Sequence, residues 1–377
     1  MGNNMKTKYY SYLLGKMPKG CQMCVKGLKE VVFVTGVCSK KPCFFCPISD
    51  KKFGKDDIYA NEWKVSNLND LIKEAKLCSS KGAGLTGGDP LARLDRTIKI
   101  IKLLKKKFGS KFHIHLYTPL NLVTETVIKK LEKVGLDEIR FHPDLDSSKL
   151  WNKIKMKTKM VKGVEIPVIP GKEKQIKKLI DFIKDKVQFL NLNELELSDT
   201  NVCKLYDKGF IAKNKVSYAV KGSEALAKKL LKYCAKTKLN VHYCTVTLKD
   251  KVQLINRLKR RAKNVKSKFD YMTKEGTLVR GAIYITGFTP DLAYSKLDKL
   301  KNKSEVISKL KILKNKLMKE FNIPKELIEI DSKKLRLLTN VKVVFELKKE
   351  LKKKKLYPAV VEELPSHDQF EIECEML

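Results

Sequence analysis

Between residue 31 and about residue 200, short apolar runs alternate with lysine-rich amphipathic stretches. The strands predicted from this pattern are 31–36, 82–88, 112–118, 137–142, 163–170 and 189–197. Helical patterns lie between them, such as 94–109 and 121–135, and each closes on a glycine, Gly109 and Gly135, just past its last apolar turn. A strand that reaches the next one through a helix runs parallel to it and needs helices to cover the sheet. Six such units predict an α/β fold, a partial (β/α)6 barrel over residues 31–250, with its chemistry at the carboxyl ends of the strands.

The segment after the first strand, VVFVTGVCSKKPCFFCPIS, carries Cys38, Cys43 and Cys46. Gaps of four and then two residues put three thiolates on one loop. Three thiolates hold three irons of a [4Fe-4S] cluster and leave the fourth without a protein ligand. A small molecule can bind at that open iron and be reduced there by one electron. A zinc ribbon is the competing reading, because Cys21-x2-Cys24 and Cys43-x2-Cys46 are two knuckles separated by 18 residues. It leaves Cys38 without a role, places a buried-strand run where a ribbon turns, and finds no use for Phe44 and Phe45 between two ligands.

The cysteine segment, followed about 40 residues later by GLTGGDP, resembles a radical S-adenosylmethionine enzyme. In particular it is similar to an archaeal group related to the pyruvate formate-lyase activating enzyme, over roughly residues 20–250. The family's usual gaps are three and two, so the four-residue first gap is a departure, confined to the Ser39–Pro42 stretch. The resemblance implies that Cys38, Cys43 and Cys46 hold the cluster and that S-adenosylmethionine chelates its open iron. Phe45 then packs near the adenine. Gly87, Gly88 and Asp89 stand where the family has a Gly-Gly-Glu that receives the ligand's amino group. Glycine there permits close backbone approach to the ligand, and Asp for Glu shortens the reach.

Both motifs fall after predicted strands, where barrel chemistry is expected. Thr118 closes the third strand and His142 the fourth; Glu165 lies in the fifth, and Asn193, Glu194 and Glu196 in the sixth. Polar residues inside apolar strands are costly unless satisfied, so Thr118 and Glu165 are expected to face a ligand cavity. Alternation sends Asn191 and Asn193 one way and Leu192, Glu194 and Glu196 the other, without saying which way is inward. A later run, LNVHYC, reads as a strand ending at Cys244. Cys21 and Cys24 precede the first strand in an N-terminal extension (1–30), and in a nearly closed sheet Cys244 can be their neighbour. Together they predict a second [4Fe-4S] cluster or a zinc site, with Cys234 the weaker candidate because it lies in a helical pattern.

Eighty Lys and Arg against 42 Asp and Glu give a net charge of +38. Such a chain attracts polyanions. The stretch 251–268 is a basic helix bearing Arg257, Lys259, Arg260 and Arg261, and it opens a C-terminal basic α+β region (251–377) expected to recognise substrate. No run of 18 apolar residues occurs, so no membrane role is expected. Ten cysteines without a secretion signal point to metal binding in a reducing cytoplasm. The expected activity is reductive cleavage of S-adenosylmethionine to a 5′-deoxyadenosyl radical, with electrons from a ferredoxin or flavodoxin. The charge favours RNA, tRNA in particular, as substrate. The alternatives are an activase that places a glycyl radical on a partner protein, and a non-enzymatic zinc or iron–sulfur RNA-binding module.

Overall fold

The computed structural model describes residues 5–40, 42–290, 294, 297, 300 and 302–377. They form two compact units, Met1–Arg257 and Leu258–Leu377.

The first unit is built on seven parallel strands: β1 (Lys29–Phe33), β2 (Gly82–Thr86), β3 (His113–Pro119), β4 (Glu138–His142), β5 (Val161–Val168), β6 (Phe189–Glu194) and β7 (Asn240–Cys244). They lie side by side in chain order. All six expected strands are present, and the sheet goes on to a seventh, the run ending at Cys244. At the two edges β7 pairs antiparallel with Tyr12–Leu14, and β1 with Tyr59–Ala60. The edges take these neighbours instead of each other, so the barrel stays open.

Period-two alternation sorts each strand. One set, including Leu85, Leu116, Phe141, Ile166 and Leu192, joins a single fully buried apolar core with Ile100, Ile101 and Leu104 of the covering helix Leu94–Phe108. Burying each such side chain contributes about 1.5–3 kcal/mol, so this outer layer supplies most of the unit's stability. Gly109, with φ +83°, ends that helix as its position predicted. The other set is polar: His115, Tyr117, Arg140, Glu165, Asn191 and Asn193 line the concave face. Asn191 and Asn193 are therefore the inward set of β6. Strand β6 stops at Glu194, so Glu196 escapes the alternation and also reaches the concave side.

The second unit is an antiparallel sheet, Ile328–Asp331, Arg336–Thr339, Leu278–Tyr284, Tyr357–Glu363 and Glu371–Met376 in spatial order, with Tyr271–Met272 alongside Leu278–Tyr284. Helices Lys303–Glu320 and Val341–Lys353 pack on it through Leu310, Leu317, Val344 and Leu351. The division between units falls within the helix Ile255–Val265. Two of its three arginines differ from the expected phosphate-binding surface. Arg257 is buried and donates through both terminal nitrogens to Glu62, and Arg261 is buried with its guanidinium on the Pro365 carbonyl. No helix among the described residues is long and apolar enough to cross a membrane.

Candidate active site

A cavity of about 610 Å³ occupies the concave side of the parallel sheet. At one side lies the cysteine loop. Cys38, Cys43 and Cys46 are half-buried and all line the cavity. The Cys46 N–H donates to the Cys43 carbonyl at 3.1 Å, folding the last gap into a tight turn. Phe45 also lines the cavity, edge-on to Phe44 at 5.1 Å and tilted against His142 at 6.0 Å. Burial pushes the Cys46 thiol up.

Both ends of this loop are tied down by residues the motif did not reveal. After the loop, Asn201 Nδ2 donates to the Phe45 carbonyl at 3.1 Å, and the Thr200 hydroxyl to the Cys46 carbonyl at 3.2 Å. Before it, the Gly88 N–H donates to Thr35 O at 2.7 Å and the Asp89 N–H to Val37 O at 2.8 Å. A Cβ on Gly87 would lie 2.3 Å from Thr35 O, and one on Gly88 2.2 Å from Val37 O. The glycines thus serve a close approach, but to the chain's own backbone beside the cysteine loop. Gly87 also holds φ at +140°, a conformation that side chains disfavour.

Asp89 follows the two glycines. It is fully buried and not among the residues lining the cavity. Its Oδ1 caps the short helix Pro90–Arg93 by accepting from the Leu91 N–H at 3.0 Å, and accepts from the Thr118 hydroxyl at 2.8 Å. Burial raises its pKa against these opposing bonds. Oδ1 thus holds the loop together, while Oδ2 is buried without a hydrogen-bond partner among the described residues. Thr118 lines the cavity while its hydroxyl serves Asp89.

The floor is a polar network drawn from four strands. Arg140, buried in β4, donates to Glu138 at 2.6 Å, to Glu165 of β5 at 2.8 Å and to the Tyr117 hydroxyl of β3 at 3.1 Å. Glu165 accepts further from Asn191 at 2.8 Å and Asn193 at 2.9 Å, both on β6. Its carboxylate is thereby fixed by three donors instead of standing free. Glu138 is pushed up by burial, but Arg140 and His113 overcome this and hold it at about 2. Burial lowers His142 to about 4, keeping its imidazole neutral. The short helix Lys19–Cys24 brings Cys21 and Cys24 to the same cavity that Cys244 lines from the end of β7. Cys234 lies apart, in the apolar core under its helix.

Among the described residues no three His, Cys, Asp or Glu side chains are gathered to hold a single metal ion. The Cys38–Cys43–Cys46 triad fits a cubane better than one ion. Its donors are all soft thiolates, each of which takes a different iron. Gly87 and Gly88 line the same cavity beside it.

A soft three-thiolate loop and a Gly-Gly wall at the carboxyl edge of an open parallel barrel define a class. The family model of the radical SAM superfamily matches residues 32–183. A curated protein of Methanocaldococcus jannaschii is 42% identical over 316 residues, 81% of this chain and 81% of its own length. The chain belongs to the radical SAM superfamily and is an enzyme that uses S-adenosylmethionine and a [4Fe-4S] cluster. The M. jannaschii relative bears the name "Putative glycyl-radical enzyme activating enzyme". Among solved structures, the fold is similar to SuiB of Streptococcus suis bound to S-adenosylmethionine, at 14% identity and a TM-score of 0.40. That match covers 58% of this chain and 50% of SuiB. It is also similar to coproporphyrinogen III oxidase (HemN) of Escherichia coli, at 9% identity and a TM-score of 0.31, over 89% and 93% of the two chains. At these scores neither structure bears on the activity.

Proposed function

We propose that this protein is an activating enzyme that installs a glycyl radical on a partner protein, with Cys38, Cys43 and Cys46 holding its cluster. The observation that carries the reading is the 42% identity to the M. jannaschii protein over 81% of both chains. An RNA substrate loses its main structural support, since Arg257 and Arg261 of the basic helix are buried and engaged. When bound, the cluster and S-adenosylmethionine supply one-electron cleavage to methionine and 5′-deoxyadenosine, whose new hydrogen comes from the Cα of the partner's glycine.

The chain's own residues prepare that exchange. Gly87 and Gly88 form the wall beside the cysteine loop, and Phe45 offers an apolar face on the same cavity. The Asp89–Thr118 bond locks the loop to β3. Arg140, Asn191 and Asn193 hold Glu165 in one orientation on the floor, so it is available as a fixed acceptor and not as a mobile base. The positive field of a chain with net charge +38 suits an acidic one-electron carrier of the ferredoxin or flavodoxin class. The unit 258–377 is assigned to partner recognition.

The test is to mix the reduced protein with candidate partners under anaerobic conditions and look by EPR for a carbon-centred doublet from a glycine. Loss of splitting on deuterating that glycine's Cα would support the proposal. Formation of 5′-deoxyadenosine with tRNA alone, with label carried from tRNA into it, would overturn it.

A further inference from the structure

Three of the seven cysteines outside the loop, Cys21, Cys24 and Cys244, come from opposite ends of the first unit's sequence to one cavity. Cys21 and Cys24 lie three apart on the helix Lys19–Cys24, the spacing that places two side chains on one helical face. Cys244 ends β7. All three line the cavity that also holds Cys38, Cys43 and Cys46.

The seat of that helix is built for close contact. The Gly20 N–H donates to Glu138 at 3.2 Å. A Cβ on Gly20 would stand 2.4 Å from Arg140 Nη2 and 2.8 Å from His115 Nδ1. A side chain at position 20 would press on these floor residues. The Cys21 sulfur receives Asn191 Nδ2 at 3.3 Å and Arg140 Nη2 at 3.5 Å, and the Cys244 sulfur receives Gln253 Nε2 at 3.8 Å. Such N–H···S bonds are among the features that tune cluster thiolates. His115, 1% exposed, lines the same floor, and its Nδ1 has no hydrogen-bond partner among the described residues.

We infer that Cys21, Cys24 and Cys244 hold a second [4Fe-4S] cluster on the floor of the barrel. Zinc is the other ion such a thiolate set takes, and it needs every sulfur within about 2.3 Å of one centre. These residues are not gathered in that way. A cubane accepts wider spacing, because each thiolate binds its own iron. Three thiolates would leave one iron of such a cluster without a cysteine ligand, and the His115 nitrogen that has no partner among the described residues lies on the same floor.

The inference does not depend on which substrate the enzyme uses, and its test reads iron instead of turnover. Full-length protein reconstituted anaerobically with iron and sulfide should hold about eight irons, two cubanes. The Cys38→Ala/Cys43→Ala/Cys46→Ala variant should keep about four, with a reduced-cluster EPR signal of its own. Adding Cys21→Ser, Cys24→Ser or Cys244→Ser to it should remove those. If the triple variant does not fold, the wild-type background decides: Cys244→Ser should halve the iron, whereas Cys234→Ser leaves it unchanged. A wild type with only about four irons, an iron-free folded triple variant, or one equivalent of zinc in place of the residual iron overturns the inference.

Discussion

Arg140 donates to Glu165 at 2.8 Å across β4 and β5, and the same guanidinium holds Glu138 at 2.6 Å. Removing the cation leaves two carboxylates on the barrel floor without their counter-charge. Arg140→Met should therefore cost about 3–5 kcal/mol of stability, the range for breaking a buried pair. Urea unfolding of the apoprotein checks this. A loss under about 1 kcal/mol would show that water already solvates the floor.

The same pair sets a dependence on pH. Glu138 sits at about 2 in the folded chain against an ordinary 4.5. Its folded value lies below its unfolded value, so its contribution is fully present above about 4.5 and is lost as pH falls towards 2. Stability of the wild type should drop across that window more steeply than that of Glu138→Gln. Parallel curves would mean that Glu138 does not titrate there.

Gly88→Ala places a methyl against the Val37 carbonyl. We expect the segment before the cysteine loop to shift, with reduced iron content and at least a tenfold loss of S-adenosylmethionine cleavage (about 1.4 kcal/mol in the barrier). Iron analysis and 5′-deoxyadenosine yield measure the two effects. Full iron with full cleavage would show that the Thr35–Val37 segment yields at no cost.

Replacing Cys38, Cys43 and Cys46 by Ala should abolish cleavage of S-adenosylmethionine while the far-ultraviolet circular dichroism stays that of the wild type. The three side chains lie on a half-buried loop outside the apolar core. Residual 5′-deoxyadenosine formation would remove these cysteines from the cluster assignment.

Arg257→Gln should destabilise the first unit by about 1.5–3 kcal/mol, the range for hydrogen bonds to a charged group. The lower end is expected, because Glu62 keeps 37% of its side chain exposed. Thermal unfolding reads this directly. An unchanged midpoint, together with weakened binding of a polyanion, would return Arg257 to the surface role its sequence context implied.

What could be read in the sequence was contiguous. The cysteine loop and Gly87-Gly88 are each a few residues long, and the strand–helix alternation fixes where they fall. The Arg140–Glu165–Asn191 network could not be read, because its members sit on three strands and alternation does not say which set faces inward. Arg257 and Arg261 misled for a similar reason. Their partners, Glu62 and Pro365, are 195 and 104 residues away, and a cluster of charges looks the same whether it meets solvent or a distant acceptor. The cap that Asp89 places on Pro90–Arg93 is local, two residues from the Leu91 N–H, whereas its bond from Thr118 appears only when β2 and β3 lie side by side.

The bonds at either end of the cysteine loop make it a span between two fixed piers. Thr35 and Val37 are fastened to the Gly-Gly-Asp segment, and Phe45 and Cys46 to Thr200 and Asn201. A residue added between Cys38 and Cys43 lengthens the span without moving either pier. The four-residue gap between Cys38 and Cys43 therefore falls, in sequence, between the two anchored ends and touches neither anchor.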